Sequence, residues 1–150
     1  MKLHSIITAI ALAASSSSAV ANSVFEKPED AIDYRKSAFS LIRVQIADMG
    51  DMLKGKVPFD AERFAMRANN AAALSQMPWE AFGAGTDKGD TSALPAIWED
   101  RATFDAKADA FAKYAQELAV AAQSGDQETI VPAFQNWAKG CKDCHKSFKD

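Results

Sequence analysis

The chain has 150 residues, 17 of them basic and 20 acidic, with a formal net charge of −3. That length suits one domain built around one core. The mild acidity argues against nucleic acid or an anionic membrane as a partner.

Residues 1–21 read as an export signal rather than as part of the fold. Lys2 opens a short positive region, Ile6 to Ala14 is apolar, and Ala19-Val20-Ala21 is a small-x-small cleavage site before Asn22. A membrane anchor is the competing reading, but the apolar run is too short to span a bilayer. Cleavage leaves residues 22–150 as one mature domain, with 16 basic against 20 acidic groups and a net charge of −4. Nothing else in it is apolar for long enough to cross a membrane, so a soluble periplasmic protein is expected.

The first periodic segment runs from about Pro28 to Lys54. Proline followed by Glu29 and Asp30 is a helix start. Ile32, Phe39, Ile46 and Leu53 form one apolar row, and Ala31, Ala38, Ile42 and Met49 a second. A second helix is expected after Asp60, a plausible N-cap, with Phe64, Ala68, Ala71 and Leu74 on one face and its end at Met77-Pro78. Trp79 to Glu99, with three glycines and Pro95, reads as a long loop of the kind that covers a ligand. The third helix carries Phe104, Ala108, Phe111, Ala115, Leu118 and Ala122 and ends at Ser124-Gly125. Asp126 caps a fourth, in which Phe134, Trp137, Cys141, Cys144, His145 and Phe148 share one face. The expected fold is all-α, an antiparallel up-down-up-down four-helix bundle. Alanine-rich heptads alone would equally describe a plain bundle or a coiled coil.

The fourth helix breaks that tie. Cys141-Lys142-Asp143-Cys144-His145 holds both cysteines of the chain, and the other histidine, His4, leaves with the signal. Cys-x-x-Cys-His is a c-type haem attachment pattern: two thiols add to the haem vinyl groups and the adjacent imidazole becomes an axial ligand. A thioredoxin-like dithiol would sit in a βαβ context, which is missing here. A structural zinc site needs a fourth ligand. A simple disulfide leaves the histidine unexplained. One covalent haem c per chain, near the C-terminus, is therefore expected.

Along essentially its whole mature length the chain resembles cytochrome c′, a class II c-type cytochrome and a known case of this bundle architecture. The resemblance rests on the C-terminal motif, on Lys27-Pro28-Glu29-Asp30-Ala31 with Tyr34-Arg35, on Pro78-Trp79 with Phe82-Gly83 and Gly85-Thr86, and on Ile97-Trp98. It implies a five-coordinate haem with His145 as proximal ligand and Phe39 closing the distal side, where relatives often carry a smaller aliphatic group. It implies pairing of Arg35 with a haem propionate, a basic Lys149 beside the proximal histidine, and contacts of Lys36, Thr86 and Asp90 with the haem edge. It also implies a homodimer through the first two helices. Up-down-up-down order gathers Arg35, Phe39, Met77, Trp79 and Trp98 at the cofactor's end of the bundle. Without the resemblance, Phe39 would read as ordinary core, Arg35 as a solvated surface charge, and Trp79 and Trp98 as loop anchors.

No second histidine remains after processing, so a bis-histidine haem is excluded. Met49 and Met52 lie at least ~15 Å along the helix from Phe39. Met66 is also remote, which leaves Met77 as the one candidate sixth ligand. The favoured expectation is a periplasmic haem protein with a vacant iron face that binds small gases, nitric oxide first and carbon monoxide second, and can change by one electron. An electron carrier with Met77 ligated is the alternative, its redox partner unspecified. An enzyme is not expected, because no histidine is left for a distal acid–base pair.

Overall fold

The computed structural model describes residues 24–150, so the export signal expected at 1–21 lies outside the described residues. The first helix, α1, is Pro28–Leu53. Pro28 stands at its first turn, where a missing N–H costs nothing, and Glu29 and Asp30 face the positive end of the helix. Its buried seam is Ala31, Arg35, Ala38, Ile42, Gln45, Met49 and Met52, spaced alternately by four and three residues. Ile32 is buried beside that seam, while Phe39, Ile46 and Leu53 are half-buried on its flank.

Helix α2 is Ala61–Leu74, started by the Asp60 carboxylate, which accepts the Arg63 N–H at 3.0 Å. It buries Phe64, Ala68, Ala71 and Ala72. Its regular part stops at Leu74, three residues earlier than expected. The backbone then tightens, with the N–H groups of Gln76 and Met77 bonding three residues back to Ala73 and Leu74. The long loop is also less irregular than expected. Pro78–Ala81 forms a single 3₁₀ turn, and Ala96–Glu99 a one-turn helix, α3, entered through Pro95. Elements this short carry no periodicity to read.

Helix α4 is Arg101–Ala122, with Asp100 accepting the Thr103 N–H, and all six expected heptad residues are buried in it. Helix α5 is Gln127–Phe148, capped by Asp126, which accepts from Glu128 N at 3.0 Å and Thr129 Oγ1 at 2.9 Å. On its expected face Trp137 and Phe148 are buried, Phe134 and both cysteines half-buried, and His145 exposed at the edge.

Helix α1 packs on α2, α2 on α4 and α4 on α5, which is the expected antiparallel four-helix bundle. Alanines on α2 and α4 bring those backbones close around Phe64, Leu118 and Trp137. Helices α1 and α5 scarcely touch. A second apolar cluster, Phe82, Ile97, Phe104 and Phe148, sits at one end, and Phe39 and Trp79 pack against both clusters. Among the described residues no helix is long and apolar enough to cross a membrane.

Candidate cofactor site

Where α1 and α5 part, a cleft of about 720 Å³ opens. Helix α1 lines it with Arg35, Phe39, Ile42 and Ile46, and α5 with Gly140, Cys141, Cys144, His145 and Phe148. Phe104 and Phe111 of α4, with Trp79 and Phe82 from the loop, complete its apolar surface. Phe39 meets Trp79 edge-on at 5.7 Å between ring centroids and Phe82 at 6.5 Å. Gly140 lets the helices approach just before the first cysteine: a Cβ there would lie 3.3 Å from the Phe111 ring, a tight contact. Helix α5 thus seats closely on α4 where it presents its thiols.

Both thiols border the cleft and neither is in a disulfide. Burial pushes the Cys141 thiol up to about 11, and burial also raises Cys144 against the opposing pull of the Lys107 ammonium. Burial first, then the nearby Lys149 charge, holds the His145 imidazole below its ordinary value. Its neutral form, the one that can ligate a metal, is favoured. Among the described residues no three cysteine, histidine or acidic side chains converge into a metal cage. The motif is strung along one helical face instead.

Arg35 is not the solvated surface charge that its side chain alone would suggest. It is 2% exposed. Nη1 donates to Ala81 O at 2.9 Å and Thr86 Oγ1 at 3.0 Å, and Nη2 to Thr86 O and Thr91 Oγ1, both at 2.8 Å. Its guanidinium lies 4.5 Å from the Phe82 ring centroid, a cation–π contact. Among the described residues no carboxylate pairs with it, and burial alone lowers its pKa. A buried cation beside an apolar cleft attracts an anionic group on whatever fills the cleft.

The other expected site residues divide. Lys36 pairs with Asp90 at the mouth, joining α1 to the loop. Trp79 lines the cleft and is held by its indole N–H on Ser75 O at 2.7 Å. Thr86 is buried inside the loop as an acceptor for Arg35 and does not line the cleft. Two residues expected to gather there do not. Met77 is 43% exposed and outside the lining, ahead of the 3₁₀ turn that aims Trp79 inward. Trp98 turns to the loop, donating to Gly83 O at 2.9 Å. Thr91 and Phe82 were not foreseen. A role for Arg35 was expected only through the resemblance; the signal that would have placed it in the interior is its position on the α1 seam, four residues after Ala31 and three before Ala38.

The cleft is lined by the contiguous apolar side chains of Phe39, Ile42, Ile46, Phe104 and Phe111, which suits an apolar occupant. Two thiols one helical turn apart, an adjacent imidazole, flat aromatic walls and a buried cation at the border fit a covalently held haem.

The profile of the family described as Cytochrome C′ matches residues 30–149. Cytochrome c′ of Rubrivivax gelatinosus is 45% identical over 127 residues, covering 84% of this chain and 98% of its own length. The cytochrome c prime structure from Shewanella frigidimarina superposes with a TM-score of 0.82 at 57% identity, over 84% of this chain and 98% of that one. A nitric oxide complex of a mutant cytochrome c prime from Alcaligenes xylosoxidans superposes at 0.79 with 38% identity, over 84% and 98%. With the motif, the bundle and the cleft in agreement, the chain belongs to the cytochrome c′ family, which carries covalent haem c.

Proposed function

We propose that this chain is a periplasmic gas-binding haem protein, taking nitric oxide foremost and carbon monoxide second, and able to change by one electron. Cys141 and Cys144 would hold the haem as thioethers and His145 would be its protein ligand. Bound haem supplies an iron that can accept one further small ligand. The observation that carries the reading is the wall across the cleft from His145: α1 presents Phe39, Ile42 and Ile46. Among the described residues no methionine lines the cleft. Met77, the candidate for a carrier's sixth ligand, is exposed outside it. The polar α1 residues at the border, Lys36, Ser40 and Arg43, are exposed at the rim.

Phe39, Ile42 and Ile46 make an apolar face without a donor to stabilise a polar bound oxygen, which suits a compact neutral diatomic. Arg35 would bind and orient the propionate edge. Nitric oxide bound to a relative from Alcaligenes xylosoxidans supports the ligand class. A binder rather than an enzyme is favoured, since His145 is the sole imidazole after residue 4. Export follows from the signal reading of 1–21. Leu41 and Val44 of α1 and Met66 of α2, each about half exposed, support a homodimer through those helices. Absorption spectra of the oxidised and reduced protein, with and without nitric oxide, test the proposal. A high-spin ferric spectrum and a nitrosyl adduct are expected, and a low-spin spectrum with a methionine–iron band would refute it.

A further inference from the structure

His145 stands in the last turn of α5. Terminal helical turns fray, and their last carbonyls have no partner within the helix. Here the helix closes on its own cap, and one of the last carbonyls is bonded from outside. Lys149 N–H bonds His145 O at 3.2 Å, and Leu94 N–H bonds Phe148 O at 3.0 Å. Asp150 N–H returns to Ser92 O at 3.0 Å, so residues 92–94 and 148–150 form an antiparallel bridge centred on Ala93 and Lys149. The Phe148 ring, 4% exposed, is driven edge-on into Phe104 at 5.4 Å.

The loop strand that makes this clasp is tied to α1 by the exposed Lys36–Asp90 pair and, inside the fold, through the Thr91 hydroxyl. Thr91 Oγ1 accepts from Arg35 Nη2 at 2.8 Å and from Ala93 N–H at 3.1 Å. A continuous set of hydrogen bonds therefore runs from the buried cation of α1, through Thr91 and residues 92–94, to the turn of α5 that carries His145. No other element packs on that turn by backbone hydrogen bonds among the described residues.

We propose that Thr91 is a positioning residue: by joining Arg35 to the 92–94 strand it holds the last turn of α5, and so fixes the orientation of the His145 imidazole. This rests on the reading of His145 as the axial ligand. Among the described residues Thr91 Oγ1 is one of four acceptors for the Arg35 guanidinium, which ties the strand's position to a group that cannot move without leaving its other three bonds.

The test uses the haem-loaded protein in three forms: parent, Thr91→Val, which keeps the shape but removes the hydroxyl, and Thr91→Ser, which restores it. Amide hydrogen exchange at Leu94 and Asp150 should quicken about tenfold in Thr91→Val, as expected when one hydrogen bond's worth of local stability is lost, and return toward the parent in Thr91→Ser. The iron–histidine stretching band of the reduced protein should shift or broaden in Thr91→Val and recover in Thr91→Ser. Unchanged exchange would overturn the proposal, and so would faster exchange with an unmoved band. A parent lacking any iron–histidine band would overturn the axial reading of His145 together with this proposal, which separates that failure from the other two.

Discussion

Replacing Phe39 by alanine tests the apolar roof directly. The ring is half-buried and makes two aromatic contacts, with Trp79 at 5.7 Å and Phe82 at 6.5 Å. Each such contact is worth ~0.5–1.5 kcal/mol beyond area burial, so swinging the ring aside costs about 1–3 kcal/mol. If a diatomic must displace the ring before it binds, that cost sits in the association barrier. At ~1.36 kcal/mol per tenfold, Phe39→Ala should speed carbon monoxide association by about five- to 150-fold. The variant should also lose about 2–3 kcal/mol of stability, less than the ~3–5 kcal/mol of a fully buried phenylalanine. Stopped-flow mixing of the reduced parent and variant with carbon monoxide measures the rates, and urea unfolding followed by circular dichroism measures stability. Equal association rates, together with the expected stability loss, would show that Phe39 is ordinary core and that the reasoning about the roof is wrong.

Arg35→Ala removes four hydrogen bonds and leaves the carbonyl of Thr86 without its donor, while Ala81 O keeps the Thr86 hydroxyl; a loss of about 3–5 kcal/mol is expected, with new proteolytic cleavage between residues 82 and 95, as read by urea titration and limited proteolysis. Asp48 is held below the usual carboxylate range by Arg63 first and by Arg67, despite partial burial. A depressed folded-state pKa stabilises above the unfolded value near ~3.9, and that contribution is lost as pH falls through the folded value. Asp48→Asn should therefore be less stable than the parent at pH 7 by about 1 kcal/mol, with the gap closing in acid; a constant gap in urea melts across that range would count against the pair. The denatured exported protein should weigh one haem more than the 22–150 polypeptide, and a mass equal to the bare chain would end the attachment reading.

Much of the bundle was legible because it is written in repeats. The α4 heptad from Phe104 to Ala122 is buried at every step, and the caps Asp60 and Asp126 start their helices as expected. The attachment motif was legible because thiols and imidazoles are so scarce here. The loop was not, for a physical reason: its course is set by a buried cation one helix away and by the chain's own last residues. Neither leaves a local pattern between residues 79 and 99. Order along the bundle places a residue at a level but not in a direction, which is why Met77 and Trp98 reached the correct end yet turned away from the cleft. Arg35 and Gln45 were the opposite case. Polarity argued for solvent, and the 31-35-38-42-45-49-52 register that buries them shows only in the folded helix. Each is accommodated by partners: Arg35 by the loop, and Gln45 by Leu41 O at 3.2 Å and Arg67 at 3.3 Å.

The cleft also explains why the apolar interior comes in two parts. One cluster runs between α1, α2, α4 and α5 around Trp137, and the other sits around Phe104 and Phe148 at the loop end. Phe39 and Trp79 touch both, and both line the cleft between them. A flat apolar occupant fastened to α5 would make one continuous core of the two, so the residues that shape ligand access also carry the packing between clusters. Changes at Phe39 or Trp79 should therefore alter stability and ligand rates together. Changes at Phe64 or Leu118, buried in the first cluster and absent from the cleft, should alter stability alone. That division follows from where the two clusters meet, and it separates a ligand site built into the core from one merely attached to its surface.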